Sequence, residues 1–142
     1  MCARMLNFTN AKGLPVGSFN SGGTESIMLC LLAYREYKYK YEGVKNPNMI
    51  ICRTGHIAAL KACEYFGIEP RIVGYDKNYE MDVKEMQKNI DSNTICVYTS
   101  YPNYPYGNID PIHVIGPICK KKNIPVHVDM CLGGFLVPFL DS

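Results

Sequence analysis

Apolar residues along this 142-residue chain alternate between two spacings. Over residues 25–42, Ile27, Leu31 and Tyr34, flanked by Met28 and Leu32, recur at the 3.6-residue period of a helix face, and Gly43 marks its stop. Four short runs rich in apolar and β-branched residues then predict strands at 48–52 (NMIIC), 70–75 (PRIVGY), 94–99 (TICVYT) and 124–128 (IPVHV). Between them lie helical patterns. One covers 57–66 and is closed by Gly67; a second begins after Asp82, which with Glu85 resembles a capping box, and places Val83, Met86 and Ile90 on one face. A third covers 111–123, but Gly116-Pro117 falls inside it, predicting either a kink or a later start at Pro117. Residues 1–8 read as a helix without a cap, 10–17 as a loop, and 18–21 as a loop or strand end. The segment SYPNYPYGNIDP, with three prolines, is too stiff and too poor in donors for a helix or central strand. Helices alternating with short apolar strands imply an α/β fold, a parallel-rich sheet flanked by helices on both faces.

Composition adds exclusions. With 47% hydrophobic and 20% charged residues, the chain can bury a core as one domain, and a net charge of +2 is too mild to argue for nucleic acid or an anionic membrane surface. Seven cysteines form no C-x-x-C pair and most lie in apolar runs, as expected of reduced thiols in a cytosol-facing protein. The histidines His56, His113 and His127 lack a second ligand at zinc spacing, so no metal is expected. No apolar run reaches membrane-spanning length, and the first residues lack the core of a signal peptide, which predicts a soluble chain. The alternation of Tyr37, Tyr39 and Tyr41 with Lys38 and Lys40 is read as a solvated helix end, because helical geometry sends those tyrosines to different faces and lysine heads stay wet.

Candidate chemistry sits at the ends of predicted elements. Strand 124–128 is followed by Asp129, and open α/β sheets place ligands at the carboxyl ends of their strands; Gly133 and Gly134 then permit a sharp turn or a close approach. Taken alone, an Asp capping the next helix is the plainer reading. Ser21-Gly22-Gly23-Thr24 opens a helix in a form suited to an anion, with small residues exposing backbone N–H groups and hydroxyls on Ser21 and Thr24, although Gly-rich turns of this kind are common. His56, after a strand, is either a ring that stacks on a ligand or an exposed loop residue. The order of these features narrows the choice: a phosphate cradle, a loop histidine, a Pro-rich loop and a strand ending His-x-Asp supply an anchor, a flat partner and a carboxylate for a protonated ring nitrogen. Pyridoxal 5'-phosphate needs all three.

The residues Ser21-Gly22-Gly23-Thr24-Glu25-Ser26, His56 with Lys61-Ala62 and Tyr65-Phe66-Gly67, Met81-Asp82-Val83, Pro105-x-Gly107 with Ile109-Asp110-Pro111, and His127-Val128-Asp129-x-Cys131-Leu132-Gly133-Gly134-Phe135 resemble the sphingosine-1-phosphate lyase family. That family is related to the pyridoxal phosphate-dependent amino-acid decarboxylases (group II). The resemblance runs in order across nearly the whole chain. It implies part of the large, cofactor-binding domain of a fold type I (aspartate aminotransferase-like) enzyme. Gly22, Gly23 and Thr24 would hold the cofactor phosphate, His56 would stack on one ring face and Cys131 lie against the other, and Asp129 would pair with the ring nitrogen. His127 and residues 100–107 would line the cofactor and substrate side, making His127 and His56 the candidate catalytic residues. The implied reaction is retro-aldol cleavage of a sphingoid base phosphate between C2 and C3, giving a fatty aldehyde and phosphoethanolamine. The implied assembly is a homodimer, cytosol-facing and at the endoplasmic reticulum membrane where an anchor is present.

Departures accompany the resemblance. Asn20 stands where the family has Thr, Met130 where it has Ala, and Tyr106 where it has a His before Gly107. The family's Schiff-base lysine lies in a His-Lys motif downstream of the region matched, and Lys61, one helical turn beyond His56, has no covalent role in the family pattern. The chain is therefore expected to be a partial large domain (residues 1–142), without an amino-terminal segment, the lysine region or the small domain, and to be inactive in isolation. Other readings are an amino-acid decarboxylase, a non-catalytic α/β remnant, and a nucleotide- or dinucleotide-binding enzyme; the last lacks both G-x-G-x-x-G and an acid after the strand at 48–52.

Overall fold

A computed structural model describes residues 15–139. In chain order, helix α1 (Gly23–Glu42) leads to strand β1 (Asn48–Cys52), helix α2 (Ile57–Phe66), strand β2 (Glu69–Val73), helix α3 (Val83–Asn89), strand β3 (Thr94–Ser100), helix α4 (Ile112–Lys121), strand β4 (Val126–Asp129) and a 3-10 turn (Val137–Phe139). The expected helix at 1–8 lies outside the described residues. The strands form one parallel sheet in the order β2-β1-β3-β4. From β1 the chain steps outward to β2, then returns past β1 to lay down β3 and β4 in the opposite direction. The β1/β3 boundary is thus a topological switch point, where open α/β sheets leave a crevice at the carboxyl ends of their strands.

Burial follows this order. Every residue of central strands β1 and β3 is buried, as expected of a parallel sheet covered on both faces. Strand β2 is mostly exposed and tolerates Pro70, whose missing N–H would break a ladder on a central strand. Two apolar clusters occupy the two faces. Ile27 and Leu31 of α1 and Ala58, Ala59, Ala62 and Cys63 of α2 pack on Met49, Ile51, Cys96 and Tyr98. Met86 of α3 and Ile115 and Cys119 of α4 pack on Ile50, Cys52, Val73 and Val97 from the other side.

Several boundaries differ from the sequence reading. Strand β2 stops at Val73 because the Gly74 N–H donates to Glu85 Oε2 at 2.7 Å and so leaves the ladder. That same bond uses the carboxylate expected to close a capping box, so only Asp82 caps α3, accepting from the N–H groups of Lys84 and Glu85. Strand β4 starts at Val126, since the Ile124 N–H still donates to the Cys119 carbonyl at the end of α4. Helix α4 begins at Ile112 and runs through Pro117. Gly116 has no Cβ to clash with the proline ring, so the helical conformation before Pro117 stays accessible and what is lost is one N–H donor. Lys38 corrects the solvated reading of its helix end: it is 4% exposed, its Nζ pairs with Glu42 Oε2 at 2.7 Å and donates to the Asn123 carbonyl at 3.0 Å.

Candidate functional site

At the amino end of α1, Gly22 is the N-cap and no side chain caps the helix. The N–H groups of a helix's first turn have no acceptor within the helix, and over 20 residues the peptide dipoles add to their pull on an anion. The turn is braced from behind. Glu25 Oε2 accepts from the Ser21 N–H at 2.6 Å, Ser26 Oγ donates to the Gly22 carbonyl at 3.1 Å, and Asn20 Nδ2 donates to Ser26 Oγ at 3.2 Å. These bonds leave the Gly23–Thr24 edge facing a cleft of about 460 Å³.

The cleft is lined by Gly23, Thr24, Ser26, His56, Asp129 and Cys131, among others. His127 also lines it. Of the candidate cofactor-binding and catalytic residues, Gly22 alone is outside the lining, as the cap one position before Gly23, and residues 100–107 and Ser21 do not reach this cleft. The cleft thus joins the turn before α1, the loop after β1 and the end of β4, which are far apart in sequence.

Asp129 closes β4. Its Oδ2 accepts from the Tyr98 hydroxyl at 2.5 Å and its Oδ1 from the Cys131 N–H at 3.0 Å. Capping of the following turn by Asp129 is therefore real, and it coexists with a place in the cleft. A carboxylate has about four acceptor positions, so two bonds leave it capacity for another donor. Burial, and then the bond to Asp129, raise the Tyr98 phenol well above the ordinary tyrosine range, which keeps it a neutral donor. His127 stacks on Tyr98 with centroids 5.0 Å apart and planes at 12°, while Tyr34 meets it edge-on at 6.3 Å. Burial lowers the His127 pKa, and the charge of Asp129 only partly opposes this.

His56 is the N-cap of α2, and its Nδ1 accepts from the Ala58 N–H at 3.1 Å. In the neutral ring the proton is then on Nε2, so one bond fixes both ring direction and tautomer. A Cβ built on Gly23 would lie 3.9 Å from Cys131 Sγ, which places the thiol beside the helix terminus. The turn carrying Cys131 depends on Gly133, where a Cβ would collide with the Tyr101 carbonyl oxygen. The Pro-rich loop contributes Pro102 and Tyr104 to an adjoining recess of about 140 Å³ shared with His56, Asp129 and Cys131. Tyr106, by contrast, stacks on Tyr79 at 4.2 Å, outside the lining.

Tyr98 is the residue the sequence reading passed over. Its signal was present, since a tyrosine inside a β-branched, buried strand needs a partner for its hydroxyl. That the partner is Asp129 depends on β3 pairing with β4.

The conserved domain of the pyridoxal-dependent decarboxylases matches this chain over residues 1–142. The sphingosine-1-phosphate lyase of Drosophila melanogaster is 42% identical over 132 residues, covering 92% of this chain and 24% of its own length. A solved structure of the sphingosine-1-phosphate lyase of Burkholderia pseudomallei superposes with a TM-score of 0.80 at 39% identity, covering 82% of this chain and 27% of that one. The glutamate decarboxylase of Lactobacillus brevis superposes with a TM-score of 0.85 over 99% of this chain and 35% of its own, at 23% identity, a likeness of fold. The chain spans about a quarter of the length of the curated relatives it matches.

Proposed function

This chain belongs to the pyridoxal-dependent decarboxylase family, and from that premise we propose that it supplies the cofactor-binding segment of a pyridoxal 5'-phosphate-dependent lyase that cleaves sphingoid base phosphates between C2 and C3. One observation carries the reading: the Asp129 carboxylate and the uncapped first turn of α1 face the same cleft. A flat cofactor with a phosphate at one end and a protonated nitrogen in its ring fits that pair. The likeness to lyases named for sphingosine 1-phosphate supports the substrate class.

When bound, the cofactor supplies an electron sink for the carbanion left by bond cleavage. Gly22, Gly23 and Thr24 bind its phosphate through backbone N–H groups and the Thr24 hydroxyl. His56, oriented by its bond to Ala58, offers a ring face, and Cys131 packs from the other side. Asp129 holds a proton on the ring nitrogen. His127, kept neutral by burial, leaves an imidazole nitrogen able to accept a proton on the substrate side. Ser100, Pro102 and Tyr104 line the adjoining recess and limit water there. No lysine lines the cleft among the described residues, so the imine-forming lysine is assigned outside residues 15–139. The working form is a homodimer facing the cytosol; among the described residues no helix is long and apolar enough to cross a membrane, and the six cysteines described, of the chain's seven, are free.

Gly23→Val provides the test. The added Cβ meets only Cys131 Sγ at ordinary contact distance, so the fold is retained, while the branched side chain covers the anion-facing amides. Pyridoxal phosphate should bind roughly tenfold or more weakly and phosphate-free pyridoxal almost unchanged. Equal weakening of both would overturn the phosphate assignment. For the gene product containing this chain, release of phosphoethanolamine from a sphingoid base phosphate is expected, and carbon dioxide release from amino acids in its place would reassign it as a decarboxylase.

A further inference from the structure

Tyr98 has no part in the binding scheme above, yet it is fully buried and its hydroxyl makes a 2.5 Å bond to the carboxylate on which that scheme turns. It lies on β3, where Cys96 and Tyr98 face α1 and α2, and strand pairing sets it beside His127. The His127 ring covers its face at 12°, and Tyr34 holds His127 from the edge. The phenol O–H is directed at Asp129 Oδ2. The Cys131 N–H, on the turn built by Gly133, fixes the other oxygen.

We infer that Tyr98 is a positioning residue that acts through Asp129, setting the direction of the carboxylate and tempering its pull on the proton of a bound pyridine ring. The inference rests on the cofactor reading above. Two donors on one carboxylate share its negative charge. A ring N–H facing the same group then meets a weaker base than an unencumbered aspartate, and its proton is released at a lower pH. The phenol's raised pKa keeps this donor protonated at neutral pH. Other titratable groups nearby are His127 and Tyr34 on the stacked side, Cys131 on the following turn, and His56 across the cleft.

The removal of one oxygen tests this. Tyr98→Phe keeps the ring and its stack on His127, and melting curves of both forms establish that the fold is retained. Each form is loaded with pyridoxal phosphate labelled with nitrogen-15 in the ring, and the ring signal is followed against pH. The Phe variant should hold the ring proton to a pH about one unit higher than the unsubstituted chain, and Asp129→Asn should abolish protonation in both. An unchanged titration in Tyr98→Phe, with Asp129→Asn still effective, would overturn the role of Tyr98 and leave the cofactor site intact. An Asp129→Asn variant whose ring still titrates like the unsubstituted form would overturn the cofactor reading itself. A cofactor-free measurement accompanies these: the Tyr98 ring carbon should titrate at lower pH in Asp129→Asn than in the unsubstituted chain, and no difference would break the coupling on which the inference depends.

Discussion

Replacing Asp129 with Ala tests the Tyr98–Asp129 pair through stability, without any cofactor. The Tyr98 hydroxyl is fully buried and has Asp129 Oδ2 as its acceptor, so the variant strands a buried donor, at a cost of about 1–3 kcal/mol. The second bond contributes little to the loss, because Cys131 is exposed and its N–H can turn to water. Some desolvation of the half-buried carboxylate is recovered. The net loss should be about 2 kcal/mol, which at a urea slope of about 2 kcal/mol per molar lowers the unfolding midpoint by about 1 M. Tyr98→Phe should lose about 1.5 kcal/mol, the value of a bond to a charged acceptor. With both partners gone nothing is left unsatisfied, so the double variant should lose about 2 kcal/mol, well short of the sum. Urea unfolding followed by circular dichroism near pH 7.5 measures all three. Losses that add to within about 0.5 kcal/mol would refute the claim that the two groups act as a pair.

Two other perturbations probe the surroundings. Gly133→Ala should destabilise by about 3 kcal/mol, because its methyl group meets the Tyr101 carbonyl and lies within 3.1 Å of Val137 Cγ2 and Pro102 Cδ; a melting temperature unchanged within about 2 °C would show that the turn can open. His127 has a depressed folded pKa, so the unfolded chain binds its proton first and the stabilisation present above about pH 6.5 is lost as pH falls. His127→Gln should flatten the decline in unfolding free energy between about pH 7 and 5; because Asp110, with a raised pKa, acts in the opposite sense in both forms, the difference between them isolates His127.

Legibility in the sequence tracked how local each determinant is. Helix α2 and strand β1 were bounded correctly because Gly67 and an unbroken apolar run specify them without help from elsewhere. The edges of β2 and β4 were displaced by bonds to residues far along the chain or in the preceding helix, Gly74 to Glu85 and Ile124 to Cys119, which periodicity does not contain. Lys38 reads as a surface lysine until the turn after α4 brings the Asn123 carbonyl to it. At the candidate site, Gly23, Thr24, His56, His127, Asp129 and Cys131 could be singled out because each lies at or just past an element's end, and the structure brings all six into one cleft. Tyr98 was not, because its importance lies in what β4 sets beside it. Pro117 left a later start open beside a kink because the penalty of an interior proline was counted and the relief afforded by Gly116 was not, and the structure rules out the later start.

The central claim is that one cleft holds the phosphate, the ring faces and the ring nitrogen of pyridoxal phosphate, and a crystal structure of the chain with that cofactor tests it most directly. The account predicts the phosphate at the first turn of α1 within hydrogen-bond reach of the Gly23 and Thr24 amides, the ring between His56 and Cys131, and its nitrogen facing Asp129 with the Tyr98 bond retained. A phosphate bound elsewhere, or a ring nitrogen turned away from Asp129, would contradict it.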